Sequence, residues 1–253
     1  PYTVNKEGRG PAWENSLFED GAEFGYGMNL AVNARQTAAA DLARSLAQKE
    51  DTPAAVTLCA QKWLNHRRET EGSRTTGQAL AAALAKAISA GTGNQEELQA
   101  LYNMRDMFGQ KSVWAFGGDG WAYDIGYGGV DHVLASGENI NILVLDTEVY
   151  SNTGGQASKA TNTGAVAQFA AAGKAVQKKD LAAIAMQYGN VYVAQVAMGP
   201  DYSQTLRAPF EAGSYPGTPI IIAYATCISH GIKIGMNTTM QATTVADQGG
   251  PGH

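Results

Sequence analysis

Ser112-Val-Trp-Ala-Phe-Gly-Gly-Asp-Gly120 is a short apolar run that ends in a glycine-rich turn carrying one carboxylate. Three further apolar runs follow along the chain, at residues 140–145, 191–196 and 220–224. Stretches of helix length accompany them, at residues 122–137, 160–173 and 203–213. Strands that alternate with helices predict an α/β fold whose mainly parallel sheet is flanked by helices. Ligands of such sheets bind beyond the carboxyl ends of the strands, which is where the unusual residues of this chain lie.

The part of the chain before residue 111 has a different character. Residues 28–108 are rich in alanine and other strong helix formers, so we expect an Ala-rich helical section there. Gly72 and Gly91-Thr-Gly-Asn94 are expected to separate its helices. Residues 1 to about 35 contain glycines and aromatic side chains without a sustained period, which indicates a loop followed by the start of a helix.

The composition argues against several classes of protein. The 253 residues are 44% hydrophobic and carry a formal net charge of -5, which favours a well-packed core and disfavours nucleic-acid binding. No apolar run approaches the roughly 20 residues that a membrane-spanning helix needs. The basic runs His66-Arg-Arg68 and Lys178-Lys179 are interpreted as solvated surface. Two cysteines, Cys59 and Cys227, make no disulfide framework, so we expect a reducing, cytoplasmic setting.

The turn Gly117-Gly-Asp-Gly120 indicates bound phosphate together with a metal ion. Glycines let the backbone approach an oxyanion, and the N–H groups of a following helix favour phosphate. A carboxylate at that point would repel phosphate unless a divalent cation lies between them, and Mg²⁺ takes one or two carboxylates plus phosphate oxygens. Asp119 therefore points to Mg²⁺. By itself, the tripeptide Gly118-Asp-Gly120 is better interpreted as an ordinary tight turn without a ligand.

A second turn changes that balance. The next apolar run ends in Asp146-Thr-Glu-Val-Tyr-Ser-Asn152, and Thr147 follows Asp119 by 28 positions, about one strand–helix–strand unit. The side-chain oxygen of Thr147 and the carbonyl of Val149 would then join Asp119 as three hard oxygen ligands. Neither a dinucleotide fingerprint nor a Walker loop fits, because the third glycine and the Gly-Lys-Ser/Thr ending are both missing.

Longer stretches resemble the pyruvate:ferredoxin (flavodoxin) oxidoreductases. The resemblance is carried by four stretches: Pro1–Asp20, Gly117–Gly129, Leu145–Ala160 and Tyr224–Ile228. It extends to about Met236 and corresponds to part of the C-terminal thiamine-diphosphate domain. We therefore expect an incomplete domain at residues 1–236, with a loop and helical section at 1–110, an α/β core at 111–236, and an atypical tail at 237–253.

The resemblance implies roles for individual residues. Asp119, Thr147 and the Val149 carbonyl would bind Mg²⁺. The diphosphate would be cradled by Gly118, Gly120 and Trp121, and Asn152 and Phe18 would lie near the reactive thiazolium and the substrate. Cys227 matches one ligand of a [4Fe–4S] cluster whose other three family cysteines have no counterpart in these residues. On its own, a lone strand-end cysteine fits a small buried hydrophobe better.

The family reaction is the oxidative decarboxylation of pyruvate to acetyl-CoA and CO2, with electrons passing through iron–sulfur clusters to ferredoxin or flavodoxin. The implied partners are pyruvate, coenzyme A, that carrier protein and the missing domains of the same enzyme, which is expected to be a homodimer at full length. Two alternatives stay open: a non-redox thiamine-diphosphate enzyme, such as a decarboxylase or synthase, and an inactive binding module. Pro209 is unexpected in the helix predicted at residues 203–213, because proline costs about 3 kcal/mol in a helix interior.

Overall fold

The computed structural model describes residues 4, 6, 8, 10–17, 19–197, 199, 201–225 and 227–230. It divides into two compact units. One, here called the helical unit, is Gly27–Ser112, and the other, the α/β unit, comprises Pro1–Tyr26 and Val113–His253. The expected single domain at 1–236 stays a prediction, and the atypical tail at 237–253 lies outside the described residues.

The helical unit confirms the Ala-rich helical section. Helix α1 (Gly21–Ala47) begins in the α/β unit and continues into the helical unit, where α2 (Ala54–His66), α3 (Thr70–Ser89) and α4 (Gln95–Asn103) follow. Asn94 caps α4, because its side chain accepts a hydrogen bond from the backbone N–H of Glu97. The expectation for Gly72 was wrong: it lies in the first turn of α3.

The α/β unit contains a four-stranded parallel sheet, as predicted. In chain order, the strands of this unit are β1 (Trp114–Gly118), β2 (Asn141–Asp146), β3 (Val149–Tyr150), β4 (Gln156–Ala157), β5 (Tyr192–Ala197) and β6 (Pro219–Tyr224). Strands β1, β2, β6 and β5 lie side by side in that order, and every neighbouring pair is parallel. The short strands β3 and β4 form a separate antiparallel pair directly after β2.

Helices accompany this sheet. A π-helical turn (Gly120–Ile125) leads into α5 (Tyr127–Ser136), and Gly137 directly after α5 has a φ of 68°. Helix α6 (Leu181–Met186), which the sequence analysis did not predict, precedes β5, and α7 (Tyr202–Ser214) connects β5 to β6. Pro209 lies inside α7, and Asp201 caps its first turn by accepting from two backbone N–H groups. Buried side chains of α5, α6, β2 and β6 form one core.

The helix predicted at residues 160–173 is wrong. This segment is irregular, and its backbone pairs instead with distant residues, as in the hydrogen bond from Gln168 N to Gly155 O at 3.0 Å. Gly164 and Gly173 have φ values of 82° and 89°, which a right-handed helix does not allow. Tertiary contacts therefore override the helix propensity of its alanines.

Among the described residues, no helix is both long enough and apolar enough to cross a membrane.

Candidate functional site

Asp119 and Thr147 follow the carboxyl ends of the neighbouring strands β1 and β2. The register pairs Gly118 with Leu145, so the two turns begin at the same edge of the sheet. The sheet therefore brings together two residues that are 28 positions apart. This edge is where parallel α/β sheets bind ligands.

The carboxylate of Asp119 is buried and held on both oxygens. Its Oδ1 accepts from the Thr147 N–H at 3.2 Å and from the Thr147 hydroxyl at 2.8 Å, and its Oδ2 accepts from the Ser158 hydroxyl at 2.5 Å. Burial raises the pKa of Asp119 above its ordinary value, although the hydrogen bonds from Ser158 and Thr147 oppose that rise. No Lys, Arg or His nitrogen of the described residues forms a salt bridge with this carboxylate.

Oxygen atoms crowd around the Thr147 hydroxyl. Its Oγ1 lies 2.8 Å from Asp119 Oδ1, 3.0 Å from the Val149 carbonyl and 2.7 Å from the Ser151 hydroxyl. Three hydrogens of the described residues are shared among these four oxygens: the hydroxyl hydrogens of Thr147 and Ser151 and the backbone N–H of Thr147. A cation would satisfy the remaining lone pairs, and carboxylate, hydroxyl and carbonyl oxygens are the ligands that Mg²⁺ accepts.

The donor set at this point fits Mg²⁺ better than a softer metal. Within the described part of the chain, no group of three or more His, Cys, Asp or Glu side chains could hold a metal ion. One carboxylate with neutral oxygens is typical of Mg²⁺ sites that are completed by phosphate and water. The proposed metal site therefore depends on a diphosphate to complete it.

The glycines around Asp119 differ in their surroundings. A Cβ on Gly117 would come within 2.1 Å of the Trp121 ring, and one on Gly120 would come within 2.4 Å of the Tyr150 ring. A Cβ on Gly118 would meet nothing within 4 Å. Gly117 and Gly120 are thus required by packing, whereas Gly118 leaves open space beside the candidate metal site.

Trp121 has a structural role that the sequence analysis did not foresee. Its side chain is 1% exposed and belongs to the core of the α/β unit. Its indole N–H is buried without a hydrogen-bond partner among the described residues. A diphosphate would therefore meet the backbone of Trp121 rather than its ring.

Glu148 lies between the two proposed ligands of the second turn. Its φ is 61°, a conformation that costs roughly 1–2 kcal/mol for a residue other than glycine. Its buried side chain accepts from the Asn162 amide at 2.9 Å and pairs with the Lys178 ammonium at 3.1 Å. The Glu148 carbonyl accepts a hydrogen bond from the Thr161 hydroxyl. These contacts hold an otherwise unfavourable backbone conformation in place.

The interpretation of Lys178-Lys179 as solvated surface was wrong. Lys178 bridges the carboxylates of Asp146 and Glu148 at 2.9 and 3.1 Å, and its side chain is 28% exposed. Burial lowers the pKa of Lys178, but the two negative charges outweigh it and the net pKa is raised. Lys179 lies over the Tyr127 ring, 3.0 Å from its centroid. Lys178 thus has carboxylate partners and Lys179 an aromatic partner, and these contacts replace part of the hydration of each ammonium.

The structure brings most of the remaining candidate residues to the same edge. Asn152 is exposed in the turn Ser151–Thr153, directly after Ser151, which contacts Thr147. Cys227 is buried three residues beyond β6. Burial raises the pKa of its thiol, but hydrogen bonds from Ser151 and Ser229 outweigh this effect and lower it. Phe18 lies outside the described residues.

Ser158 is a site residue that the sequence analysis did not single out. It lies within the stretch Leu145–Ala160 that carries the resemblance, but a serine in a polar loop has no distinctive pattern. Only the fold shows that its hydroxyl reaches the carboxylate of Asp119.

Comparison with known proteins shows the family of the chain. Residues 55–223 match the family model "Thiamine pyrophosphate enzyme, C-terminal TPP binding domain". The chain therefore belongs to the thiamine-pyrophosphate-binding domain family, and thiamine diphosphate is the cofactor of that family.

The chain is also similar to much longer proteins. It is 55% identical, over 92% of its length, to the pyruvate:ferredoxin oxidoreductase of Moorella thermoacetica, and 53% identical, over 100%, to the pyruvate-flavodoxin oxidoreductase of Klebsiella pneumoniae. It is 46% identical, over 97%, to a mitochondrial NADP(+) pyruvate dehydrogenase of Euglena gracilis, of which it covers 13%. The chain spans about a fifth of the length of the first two relatives, 20% and 21%.

Among solved structures, the chain is similar to a 2-oxoglutarate:ferredoxin oxidoreductase from Magnetococcus marinus with 2-oxoglutarate, coenzyme A and succinyl-CoA bound. The TM-score is 0.43 and the identity 19%, over 68% of this chain and 50% of that one. A similarity of this size carries no argument about the site.

Proposed function

We propose that this chain supplies the diphosphate- and Mg²⁺-binding half of a thiamine-diphosphate site in a pyruvate oxidoreductase. The observation that carries the proposal is the convergence of three oxygen atoms. Asp119 Oδ1 lies 2.8 Å and the Val149 carbonyl oxygen 3.0 Å from the hydroxyl oxygen of Thr147. Gly118 beside them leaves the space that a diphosphate oxygen needs. The reaction proposed is oxidative decarboxylation of pyruvate to acetyl-CoA and CO2, with electrons leaving through iron–sulfur clusters.

Bound thiamine diphosphate supplies the electron-accepting thiazolium that the decarboxylation requires. The residues of this chain bind and orient it. Asp119, Thr147 and Val149 would hold the cation, and the backbone from Gly118 to Trp121 would contact the diphosphate. Asn152 lies in the exposed turn directly after Ser151, and we assign it to the thiazolium and substrate side of the site.

Cys227 favours the oxidoreductase over a non-redox thiamine-diphosphate enzyme. Its thiol lies beside Ser151 and hence close to the candidate metal site. A cysteine at this place can ligate a [4Fe–4S] cluster that receives electrons from the cofactor, whereas decarboxylases and synthases need no cluster. One cysteine does not hold such a cluster alone, so the other ligands come from outside these residues.

The proposed partners are pyruvate, coenzyme A, ferredoxin or flavodoxin and further domains of a longer protein that forms a homodimer in the cytoplasm. Relatives named for ferredoxin, flavodoxin and NADP(+) all match this chain over nearly its full length. We therefore place the choice of electron acceptor in other parts of that protein.

Two experiments test the function. The purified chain is titrated with thiamine diphosphate, once with Mg²⁺ and once with EDTA. Saturable binding is expected only when Mg²⁺ is present. In the longer protein, pyruvate together with coenzyme A should reduce ferredoxin or flavodoxin. Acetaldehyde release from pyruvate without reduction of either carrier would instead identify a non-redox decarboxylase.

A further inference from the structure

Glu148 occupies a demanding position between two proposed ligands. The side chain of Thr147 and the carbonyl of Val149 meet at 3.0 Å although they lie two residues apart. The positive φ of Glu148 reverses the backbone between them. Whatever holds Glu148 in this conformation therefore sets the distance between the two ligand oxygens.

Lys178 is the charged group that holds this turn. Its ammonium contacts Asp146 on one side of Thr147 and Glu148 on the other, at 2.9 and 3.1 Å. Asp146 also accepts the Glu148 N–H at 3.2 Å, so Lys178, Asp146 and Glu148 all contact one another. Tyr123 donates to Asp146 at 2.9 Å.

The charge of Lys178 would by itself work against a metal ion. A cation near the site repels Mg²⁺, and the repulsion is strengthened because the surroundings are partly buried. On charge alone, removal of this ammonium should tighten Mg²⁺ binding. On geometry, the same removal should weaken it, since the ligand turn loses its support. The two explanations thus predict opposite signs.

We propose that Lys178 is a positioning residue for Mg²⁺, which acts by fixing the left-handed conformation of Glu148 and thereby the spacing of the Thr147 and Val149 oxygens. This role deepens the proposed function and rests on it. Lys178 does not touch the cation or the diphosphate in this account. Contacts of this kind behind a metal site typically change metal affinity by about 10–100-fold when they are removed.

The test measures the Mg²⁺ concentration that gives half-maximal binding of thiamine diphosphate to the full chain. Lys178→Met should raise it about tenfold, the lower end of the effect of such contacts. Lys159→Met is the matched control, because Lys159 also carries one charge in the α/β unit but pairs with Asp124 and is 63% exposed. The control should leave the Mg²⁺ requirement unchanged.

Glycine at position 148 supplies a rescue that a merely structural role does not predict. Glycine adopts positive φ without strain, so the turn should no longer need Lys178. Lys178→Met combined with Glu148→Gly should therefore return the Mg²⁺ requirement to within about twofold of the parent chain, even if thermal stability stays lowered by the unpaired Asp146.

Each outcome decides between the explanations. An unchanged or lower Mg²⁺ requirement in folded Lys178→Met overturns the positioning role, as does failure of the glycine rescue. Should Lys178→Met not fold, Glu148→Ala replaces it: this variant removes the Lys178–Glu148 pair, keeps the Lys178–Asp146 pair and still places at position 148 a residue that disfavours positive φ, so an unchanged Mg²⁺ requirement there overturns the role. If the parent chain binds thiamine diphosphate equally well with and without Mg²⁺, the proposed function itself is contradicted.

Discussion

The thiol of Cys227 lies buried beside the Ser151 hydroxyl, which in turn lies 2.7 Å from the hydroxyl of Thr147. A cluster ligated there would lie directly next to the cofactor, so the distance for electron transfer between them would be short. Within the described residues of the α/β unit, Cys227 is the only cysteine, since Cys59 belongs to the helical unit. Cys227 is therefore the residue on which the redox part of the proposal depends.

Replacement of Cys227 by serine should separate electron transfer from decarboxylation. In the longer protein, Cys227→Ser is expected to lower iron content and slow carrier reduction, whereas CO2 release from pyruvate falls less because the Mg²⁺ ligands are unchanged. Iron analysis and carrier reduction assays measure the two effects. Cys59→Ser serves as control and should leave both unchanged. Full iron occupancy with normal carrier reduction would make Cys227 a packing residue.

At the residue scale, the sequence predicted the convergence of the candidate ligands but not the residues that support them. Asp119, Thr147 and Val149 could be predicted because the spacing of one strand–helix–strand unit places two strand ends side by side. Lys178 could not, since its partners Glu148 and Asp146 lie 30 and 32 positions away. A pair of lysines in a polar stretch has the same local pattern whether it is solvated or bridges carboxylates.

At the scale of elements, the end of β1 combines two neighbouring glycines with different tasks. Gly117 faces the Trp121 ring so closely that a Cβ would come within 2.1 Å, whereas Gly118 faces open space. The first glycine allows the strand to pack against the core. The second keeps a path to the candidate metal site.

Alanine at each of these positions should therefore produce different losses. Gly117→Ala forces the buried indole to move and should destabilise the fold by about 1–3 kcal/mol. Gly118→Ala should leave the free energy of unfolding unchanged within about 0.5 kcal/mol and instead weaken thiamine diphosphate binding. Urea unfolding and cofactor titration of both variants measure this. Equal destabilisation by the two substitutions would show that Gly118 is also a packing residue.

The elements themselves were predictable where local pattern and tertiary structure agree. Four apolar runs became the four parallel strands within one or two residues, and the Ala-rich section became helices. Residues 160–173 failed because Thr161 and Asn162 are held against Glu148, and because glycines at 164 and 173 adopt positive φ. Such contacts are not visible in an alanine-rich string. The small pair β3–β4 was also missed, because strands of two residues have no periodicity.

At the scale of the whole molecule, every described candidate ligand belongs to the α/β unit. Cofactor binding should therefore stabilise that unit first. Saturating ligand at about 100 times its dissociation constant adds roughly 2.7 kcal/mol to the stability of the state that binds it. The helical unit supplies none of the proposed contacts.

Hydrogen exchange can detect this division. Mg²⁺ with thiamine diphosphate should slow amide exchange around Asp119 and across residues 147–158, with little change in Gly27–Ser112. Mg²⁺ with thiamine, which lacks the diphosphate, is the control and should protect neither region. Equal protection of both units, or protection confined to Gly27–Ser112, would place the cofactor elsewhere.

Asp119 is proposed to bind the cation that bridges this chain to the diphosphate. Calorimetric titration of thiamine diphosphate into the chain with Mg²⁺ present tests it most directly. Asp119→Ala should abolish Mg²⁺-dependent binding, because the diphosphate would then meet backbone donors without its cation, while Thr147→Val should weaken binding less, since water can replace one neutral ligand. Circular dichroism confirms that each variant is folded. Binding by folded Asp119→Ala with the affinity and Mg²⁺ dependence of the parent chain would contradict the account.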